Sequence, residues 1–226
     1  METIVVSLGG SVLAPGEPDA AYVKHLAAEL RDVARTHRLF VVTGGGRIAR
    51  AYIEAGRALG ASERFLDRLG IKVTRINARL LIAALGGEDA DEMPHTIQEA
   101  VVVGKGSSLV VMGGTDPGHT TDTVAAELAE AVAANRLVNA TSVDGVYTAD
   151  PAKDPAAKRV DRATYDELIG LAGESHTKAG PSVVFDPQAA RIVARANIPL
   201  AVVNGRDFEA LRNAILGKPF RGTLVG

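Results

Sequence analysis

Short apolar runs alternate along this chain with longer stretches of helical period. The runs are rich in Val, Ile and Leu, which is typical of strands buried on both faces of a parallel sheet. They cover Thr3–Leu8, Leu39–Thr43, Leu109–Met112, Leu137–Thr141 and Leu200–Val203. The intervening stretches predict helices at about 19–37, 47–60, 63–85, 121–134, 186–197 and 207–217. This alternation predicts an α/β protein, a three-layer α/β/α sandwich around a mostly parallel central sheet.

Composition excludes several classes of function. The 25 Lys and Arg nearly balance the 27 Asp and Glu, whereas proteins that bind mainly nucleic-acid backbones carry a basic excess. The absence of Cys excludes disulfides, thiol nucleophiles and Cys-based metal sites. No apolar run approaches the roughly 20 residues of a membrane helix, and the N-terminus leads into a strand without a signal peptide. We therefore expect a cytoplasmic protein with neither a nucleic-acid nor a membrane partner.

Glycines follow three of the predicted strands directly. They lie in Leu8–Ser11, Thr43–Gly46 and Met112–Thr115. Ligands of open α/β sheets bind beyond the carboxyl ends of the strands, where glycine lets the backbone come close and a helix N-terminus offers N–H donors to an anion. Three such turns at one edge predict a site for more than one phosphate. The alternative, that strand-to-helix turns simply favour glycine, explains one turn better than three. Neither the P-loop nor the dinucleotide-binding motif is present.

Two polar loops follow later strands. The first, Gly114–Thr123, is dense in hydroxyl groups and leads into a predicted helix. The second, Thr141–Pro155, contains several aspartates and a tyrosine. Carboxylates near phosphates usually act through Mg²⁺, because a bare carboxylate would repel the phosphate. For Asp154 an ordinary surface loop is the favoured interpretation.

At these residues the chain resembles the amino acid kinase superfamily and, within it, the uridylate kinases of the archaeal type. The resemblance runs nearly end to end. It is carried by Leu8–Leu13, Val41–Arg50, Gly113–Asp122, Val143–Pro155 and Phe185–Ala190. It implies transfer of the γ-phosphoryl group of ATP to UMP, giving UDP. It also implies Mg²⁺ that enters mainly with the ATP phosphates, with no separate protein metal site.

The resemblance further implies how the chain is organised. We expect a single domain over residues 1–226, with the acceptor side at about 1–140 and the ATP side at about 141–226. Relatives are homo-oligomers, and hexamers built as trimers of dimers are the rule among uridylate kinases. The predicted helix 63–85 has more apolar positions than one buried stripe needs, Phe65 and Ile76 among them, which favours a subunit contact.

Roles for individual residues follow from the same resemblance. The catalytic group comprises Arg50, Asp144, Lys178 and Asp186. The ATP-binding residues are Gly9, Gly10, Ser11, Gly45, Arg50, Thr141, Ser142, Tyr147 and Asp150. The UMP-binding residues are Gly44, Asp67, Gly114, Thr115, Asp116, Pro117, Gly118, His119, Thr120 and Thr121. Bacterial relatives carry a lysine where this chain has Ser7, so either Lys178 or a second Mg²⁺ would replace that charge.

Two other interpretations stay open. A related kinase could act on an acyl phosphate, carbamate or isopentenyl phosphate, although the run Thr115–Asp122 favours a nucleotide acceptor. A non-catalytic oxyanion or nucleotide storage protein could have the same fold. The presence of Asp144, Lys178 and Asp186 together disfavours storage.

Overall fold

The computed structural model describes residues 1–87, 93–149, 154, 156–173 and 185–226. Its strands are β1 Thr3–Leu8, β2 Arg38–Thr43, β3 Leu109–Met112, β4 Arg136–Thr141, β5 Val146–Tyr147, β6 Arg159–Val160, β7 Arg162–Ala163, β8 Leu200–Asn204 and β9 Thr223–Val225. Its helices are α1 Gly10–Leu13, α2 Ala20–Val33, α3 Gly46–Ala58, α4 Glu63–Ala84, α5 Ile97–Val103, α6 Thr121–Ala131, α7 Tyr165–Ala172, α8 Pro187–Ala196 and α9 Phe208–Ile215.

A seven-stranded sheet forms the centre of the fold, in the order β3-β2-β1-β4-β8-β9-β7. Strands β3, β2, β1, β4 and β8 are parallel, whereas β9 runs antiparallel to β8. In register, Leu8 lies opposite Thr43 of β2 and Ala140 of β4, and Val42 lies opposite Met112 of β3. These four strands therefore end level with one another, and the turns that follow them open onto the same edge of the sheet.

Helices cover both faces of the sheet, because successive strand residues point to opposite sides. On one face Val6 and Leu8 pack in a core with α2, α4 and α9. On the other face Val5 packs in a second core with α5, α6, α7 and α8. The expected three-layer α/β/α sandwich with a mostly parallel sheet is confirmed.

The elements expected from the sequence are also present. Each of the five expected strands is found with bounds within one residue of the prediction. The six expected helices correspond to α2, α3, α4, α6, α8 and α9, with α2 ending four residues before the predicted end. The sequence did not predict α1, α5, α7, β5, β6, β7 or β9. Among the described residues, no helix combines the length and the apolar character that crossing a lipid bilayer requires.

Candidate active site

A cleft of about 590 Å³ lies at the edge where the parallel strands end. All three glycine turns contribute to its wall, and so do the start of α3 and the loop before α6. Thr141 at the end of β4, Ser142 directly after it and Asp186 at the start of α8 also line the cleft. The register of the sheet therefore brings together segments that are far apart in the sequence.

The first two glycine turns lie in direct contact through their backbones. A Cβ atom added to Gly10 would lie 2.5 Å from the carbonyl oxygen of Gly44 and would also meet the amide nitrogen of Gly46. Gly46 has a φ of +61°, in the left-handed region that glycine adopts without strain. Only glycine fits at Gly10 and Gly46, and both turns consequently expose main-chain groups to the cleft.

Positively charged groups line the cleft at the start of α3. The N-cap of this helix is Gly45, which makes no side-chain capping bond, and unpaired N–H groups at a helix N-terminus favour an anion. The exposed side chains of Arg47 and Arg50 also line the cleft. Within the described part of the chain, neither guanidinium has a hydrogen-bond or ion-pair partner. Both are available for a phosphate.

Two carboxylates face this positive region. Asp186 is buried, at 7% exposure, and its Oδ1 accepts hydrogen bonds from Gln188 N at 2.8 Å, Ala189 N at 3.0 Å and Thr123 Oγ1 at 3.0 Å. Asp122, in the first turn of α6, accepts a 2.7 Å hydrogen bond from Ser7 Oγ. Burial raises the pKa of Asp122 to about 6, and the negative charge of Asp186 adds to this rise. A cation in the cleft would relieve the unfavourable charge of this pair.

The loop before α6 forms the other end of the cleft. Its exposed residues Asp116 to Thr120 line the wall, and Gly118 N donates a 3.2 Å hydrogen bond to Asp67 Oδ2. The Nδ1 atom of His119 lies 3.5 Å from Glu127 Oε2. Thr120 is the N-cap of α6 and accepts a hydrogen bond from Thr123 N. The exposed part of the loop is thus tied to α4 through Asp67 and to α6 through Glu127 and Thr123.

Asp144 and Tyr147 lie in an adjoining pocket, which shares Ser142 with the cleft. The hydroxyl of Tyr147 donates a 2.5 Å hydrogen bond to Asp144, whose other oxygen lies 3.1 Å from Arg159 Nη1 and 2.8 Å from Arg221 Nη2. The hydrogen bond from Tyr147 and those from the two guanidinium groups hold the pKa of Asp144 below its ordinary value. Asp144 is therefore the centre of an ion-pair cluster beside the cleft.

The structure brings most of the residues proposed from the sequence to one place. The cleft is lined by Gly9, Gly10, Ser11, Gly44, Gly45, Arg50, Asp67, Gly114, Asp116, Pro117, Gly118, His119, Thr120, Thr121, Thr141, Ser142 and Asp186. Thr115 belongs to the same loop, but its carbonyl oxygen accepts a hydrogen bond from Arg75. Asp150 and Lys178 lie outside the described residues.

Sequence reasoning assigned no site role to Arg47 or Asp122. Arg47 follows the second glycine turn directly, so its place in the first turn of α3 was a usable signal. Asp122 stood out only as the end of the loop motif and as a helix start, because no local pattern indicates that its carboxylate meets Ser7 and approaches Asp186.

The chain is similar to known proteins along nearly its whole length. The model of the amino acid kinase family matches residues 2–204. A uridylate kinase of Thermococcus onnurineus is 45% identical over 222 residues, which cover 98% of each chain. A uridylate kinase of Methanoculleus marisnigri is 46% identical over 225 residues, which cover 100% of this chain and 96% of the relative.

Solved structures of uridylate and UMP kinases are similar to this fold. The crystal structure of the uridylate kinase of Archaeoglobus fulgidus superposes with a TM-score of 0.88 at 41% identity and covers both chains completely. The UMP kinase of Bacillus anthracis has a TM-score of 0.81 at 22% identity, which supports the fold alone.

Proposed function

Because the chain belongs to the amino acid kinase family, we propose that it transfers the γ-phosphoryl group of ATP to UMP and releases UDP. It would thus be a nucleoside monophosphate kinase of pyrimidine nucleotide synthesis. The observation that carries this proposal is the single cleft lined by all three glycine turns, two exposed arginines and the hydroxyl-rich loop before α6. Relatives named uridylate kinase align with this chain over nearly its whole length.

The chemistry of phosphoryl transfer fits these groups. The reaction needs alignment of the two phosphates and neutralised charge on the transferred group, with little covalent work by the protein. An oxygen of the UMP phosphate is already ionised at neutral pH, so no strong general base is required. The main-chain N–H groups of the turns, the N-terminus of α3 and the guanidinium groups of Arg47 and Arg50 would stabilise the charge that develops.

The two substrates would approach from opposite ends of the cleft. The acceptor UMP would lie against Gly44, Asp67 and the loop Gly114–Thr121. The phosphates of ATP would lie against the first turn, Gly45 and Arg50, with its nucleoside towards Thr141, Ser142, Tyr147 and Asp150. This division corresponds to an acceptor half at about 1–140 and an ATP half at about 141–226 of one domain.

Lys178 would balance the charge of the phosphates, and the acidic residues would orient the groups around them. Asp186 would orient the cationic groups around the transferred phosphoryl group, and Lys178 would approach the ATP phosphates. Asp144 would orient groups on the ATP side, where it binds Tyr147, Arg159 and Arg221.

Magnesium is the cofactor that the family implies, and the residues of the cleft fit it. Mg²⁺ prefers oxygen ligands in octahedral geometry and commonly takes one or two carboxylates together with substrate phosphates. Asp122 and Asp186 provide two carboxylates at the cleft, and the phosphates of ATP would provide most of the remaining ligands. When bound, the metal would neutralise charge on the phosphates.

The protein would act as a homo-oligomer in the cytoplasm, as a hexamer built from three dimers. On α4, Phe65 is 56% exposed and Ile76 is 62% exposed. They are eleven residues apart, which is close to three helical turns, so they lie on one face. Tyr52 in α3 and Leu59 at its C-cap are further exposed apolar side chains, at 57% and 87% exposure.

Turnover with a panel of acceptors tests the proposed reaction. With ATP and Mg²⁺ present, we expect efficient phosphorylation of UMP, weak phosphorylation of CMP and none of carbamate or isopentenyl phosphate. A site built around hydrogen bonds rejects an analogue that lacks them by up to about 10⁴-fold. Comparable kcat/KM values for UMP and CMP would contradict the acceptor assignment, and nucleotide binding without any turnover would favour the storage alternative.

A further inference from the structure

We infer that Thr74, Arg75 and Asn77, within a single turn of α4, are positioning residues for the acceptor end of the cleft. The inference rests on the proposed function, because that function defines which end receives the acceptor. None of the three is part of the sequence motifs, yet their side chains bind the main chain of both the second glycine turn and the loop before α6. They would act on UMP through these backbone segments.

Thr74 fixes the start of the loop. Its buried hydroxyl donates a 2.7 Å hydrogen bond to Ile71 O and accepts a 2.7 Å hydrogen bond from Gly114 N. A hydroxyl has only one proton, so the bond to Ile71 leaves the oxygen of Thr74 as an acceptor towards Gly114. Although Thr74 lies at the wall of the cleft, its hydroxyl is thereby committed to the backbone.

Arg75 fixes the next two peptide groups. Its Nε donates to Gly114 O at 3.1 Å, and its Nη2 donates to Thr115 O at 3.3 Å and to His95 O at 3.4 Å. The C=O and N–H groups of a trans peptide point in opposite directions. Because Arg75 holds these two carbonyls, the N–H groups of Thr115 and Asp116 point away from it. Arg75 therefore sets the direction of two consecutive backbone donors in the acceptor loop.

Asn77 ties the second glycine turn to the same helix. Its side chain is 3% exposed, and its Nδ2 donates a 2.7 Å hydrogen bond to Gly44 O. A buried amide donor that loses its partner is costly, so this contact holds Gly44 firmly. Thr43, just before Gly44, donates a further 2.8 Å hydrogen bond from its hydroxyl to Thr74 O.

One helical turn consequently sets the spacing between two parts of the acceptor site. Gly44 is where we expect the phosphate of UMP, and Gly114–Thr121 is where we expect its nucleoside. A helix transmits position accurately, because its backbone is held by its own hydrogen bonds. A displacement of about 1 Å in a reacting group can cost about 10²-fold in rate. Loss of these contacts should therefore weaken use of UMP far more than use of ATP.

The decisive comparison is Thr74→Val against Thr74→Ser. Valine keeps the shape of threonine and removes the hydroxyl, whereas serine keeps the hydroxyl that accepts from Gly114 N. For Thr74→Val we expect KM for UMP to rise about 10-fold to 10²-fold, with KM for ATP within about 2-fold of the wild type. Thr74→Ser should restore both values nearly to those of the wild type. Equal changes in the two KM values, or an unchanged KM for UMP, would overturn the inference.

Two further measurements keep the test decisive. If Thr74→Val does not fold, Arg75→Lys replaces it. Arg75 is half-buried, and lysine keeps its charge but lacks the rigid planar fork that sets the directions of the two carbonyls. Hydrogen exchange of the Gly114 amide in the free protein should be faster in Thr74→Val than in Thr74→Ser, and equal rates would overturn the inference. This readout does not depend on turnover. Absence of UMP phosphorylation by the wild type would instead contradict the proposed function.

Discussion

At the scale of single residues, Asp186 combines two roles that one substitution can separate. Its carboxylate caps α8 through Gln188 N and Ala189 N, and it also lines the cleft. Asparagine is an equally good N-cap, so Asp186→Asn should leave the melting temperature nearly unchanged. Loss of one well-placed electrostatic group typically costs about 10²–10³ in rate, and we expect a fall in kcat of that size. Steady-state kinetics and thermal unfolding together provide the measurement. A kcat near that of the wild type would reduce Asp186 to a helix cap.

The pKa of Asp122 predicts a dependence of stability on pH. An unperturbed aspartate has a pKa of about 3.9, whereas burial and the charge of Asp186 raise that of Asp122 to about 6. The folded state then holds the proton more tightly than the unfolded state. The free energy of unfolding should therefore decrease as the pH rises from about 4 to about 6.

Thermal unfolding across that pH range checks this expectation. Asp122→Asn cannot ionise, so the variant should gain stability relative to the wild type as the pH rises. Asp116→Asn, at an exposed position in the loop before α6, is the control and should keep the wild-type profile. Parallel profiles for the wild type and Asp122→Asn would contradict the raised pKa.

Motifs predicted the segments of the site better than the direction of their side chains. The glycine turns and the loop before α6 could be predicted because backbone close to a ligand requires particular residue types. The position of the Asp122 carboxylate could not be predicted, since its partner Ser7 lies 115 positions away in the sequence. Asp144 follows β4 closely in sequence, but Arg159 and Arg221 hold its carboxylate in the adjoining pocket.

At the scale of elements, burial explains which parts of the fold the sequence revealed. The central strands are buried on both faces, and their continuous apolar runs predicted their bounds to within a residue. Strands β7 and β9 have two and three residues, and their pairing depends on tertiary contacts that no local pattern records. Helix α7 did have a usable signal, since Thr164 and Glu167 form a capping box.

The contact between the first two glycine turns predicts the effect of Gly10→Ala. The added methyl group would meet backbone atoms of Gly44 and Gly46, which cannot rotate away as a side chain could. Overpacking of this kind typically costs about 1–3 kcal/mol. We expect a lower melting temperature together with a large loss of phosphoryl transfer, because both turns line the cleft.

The matched control for this substitution is Gly16→Ala. Apart from its chain neighbours, no atom of the described residues lies within 4 Å of its added Cβ, and Gly16 is not in the left-handed region. Thermal unfolding and turnover of the two variants should differ clearly. If Gly10→Ala were as stable and as active as Gly16→Ala, the turns would not be in the close contact described.

At the scale of the whole molecule, the two faces of the sheet contribute different parts of the cleft. On the face of α2, α4 and α9, the helix α4 connects the acceptor end of the cleft with an exposed apolar surface. On the face of α5, α6, α7 and α8, the starts of α6 and α8 bring Asp122 and Asp186 to the cleft. A subunit contact through α4 would therefore lie on the helix that positions the acceptor loop.

Substitution of this surface tests the assembly. Phe65 and Ile76 are exposed on one face of α4, and burying a large apolar side chain in a subunit contact contributes about 1.5–3 kcal/mol. Replacing both residues with aspartate should leave each subunit folded and lower the mass of the oligomer below that of the wild type. Val102→Asp is the control, because Val102 is 64% exposed on α5, across the sheet from α4.

Light scattering at micromolar concentration should give a mass that is a multiple of 23.5 kDa for the wild type and the control. A wild-type protein that is already monomeric, or a double variant that keeps the wild-type mass, would show that this surface is not the subunit contact.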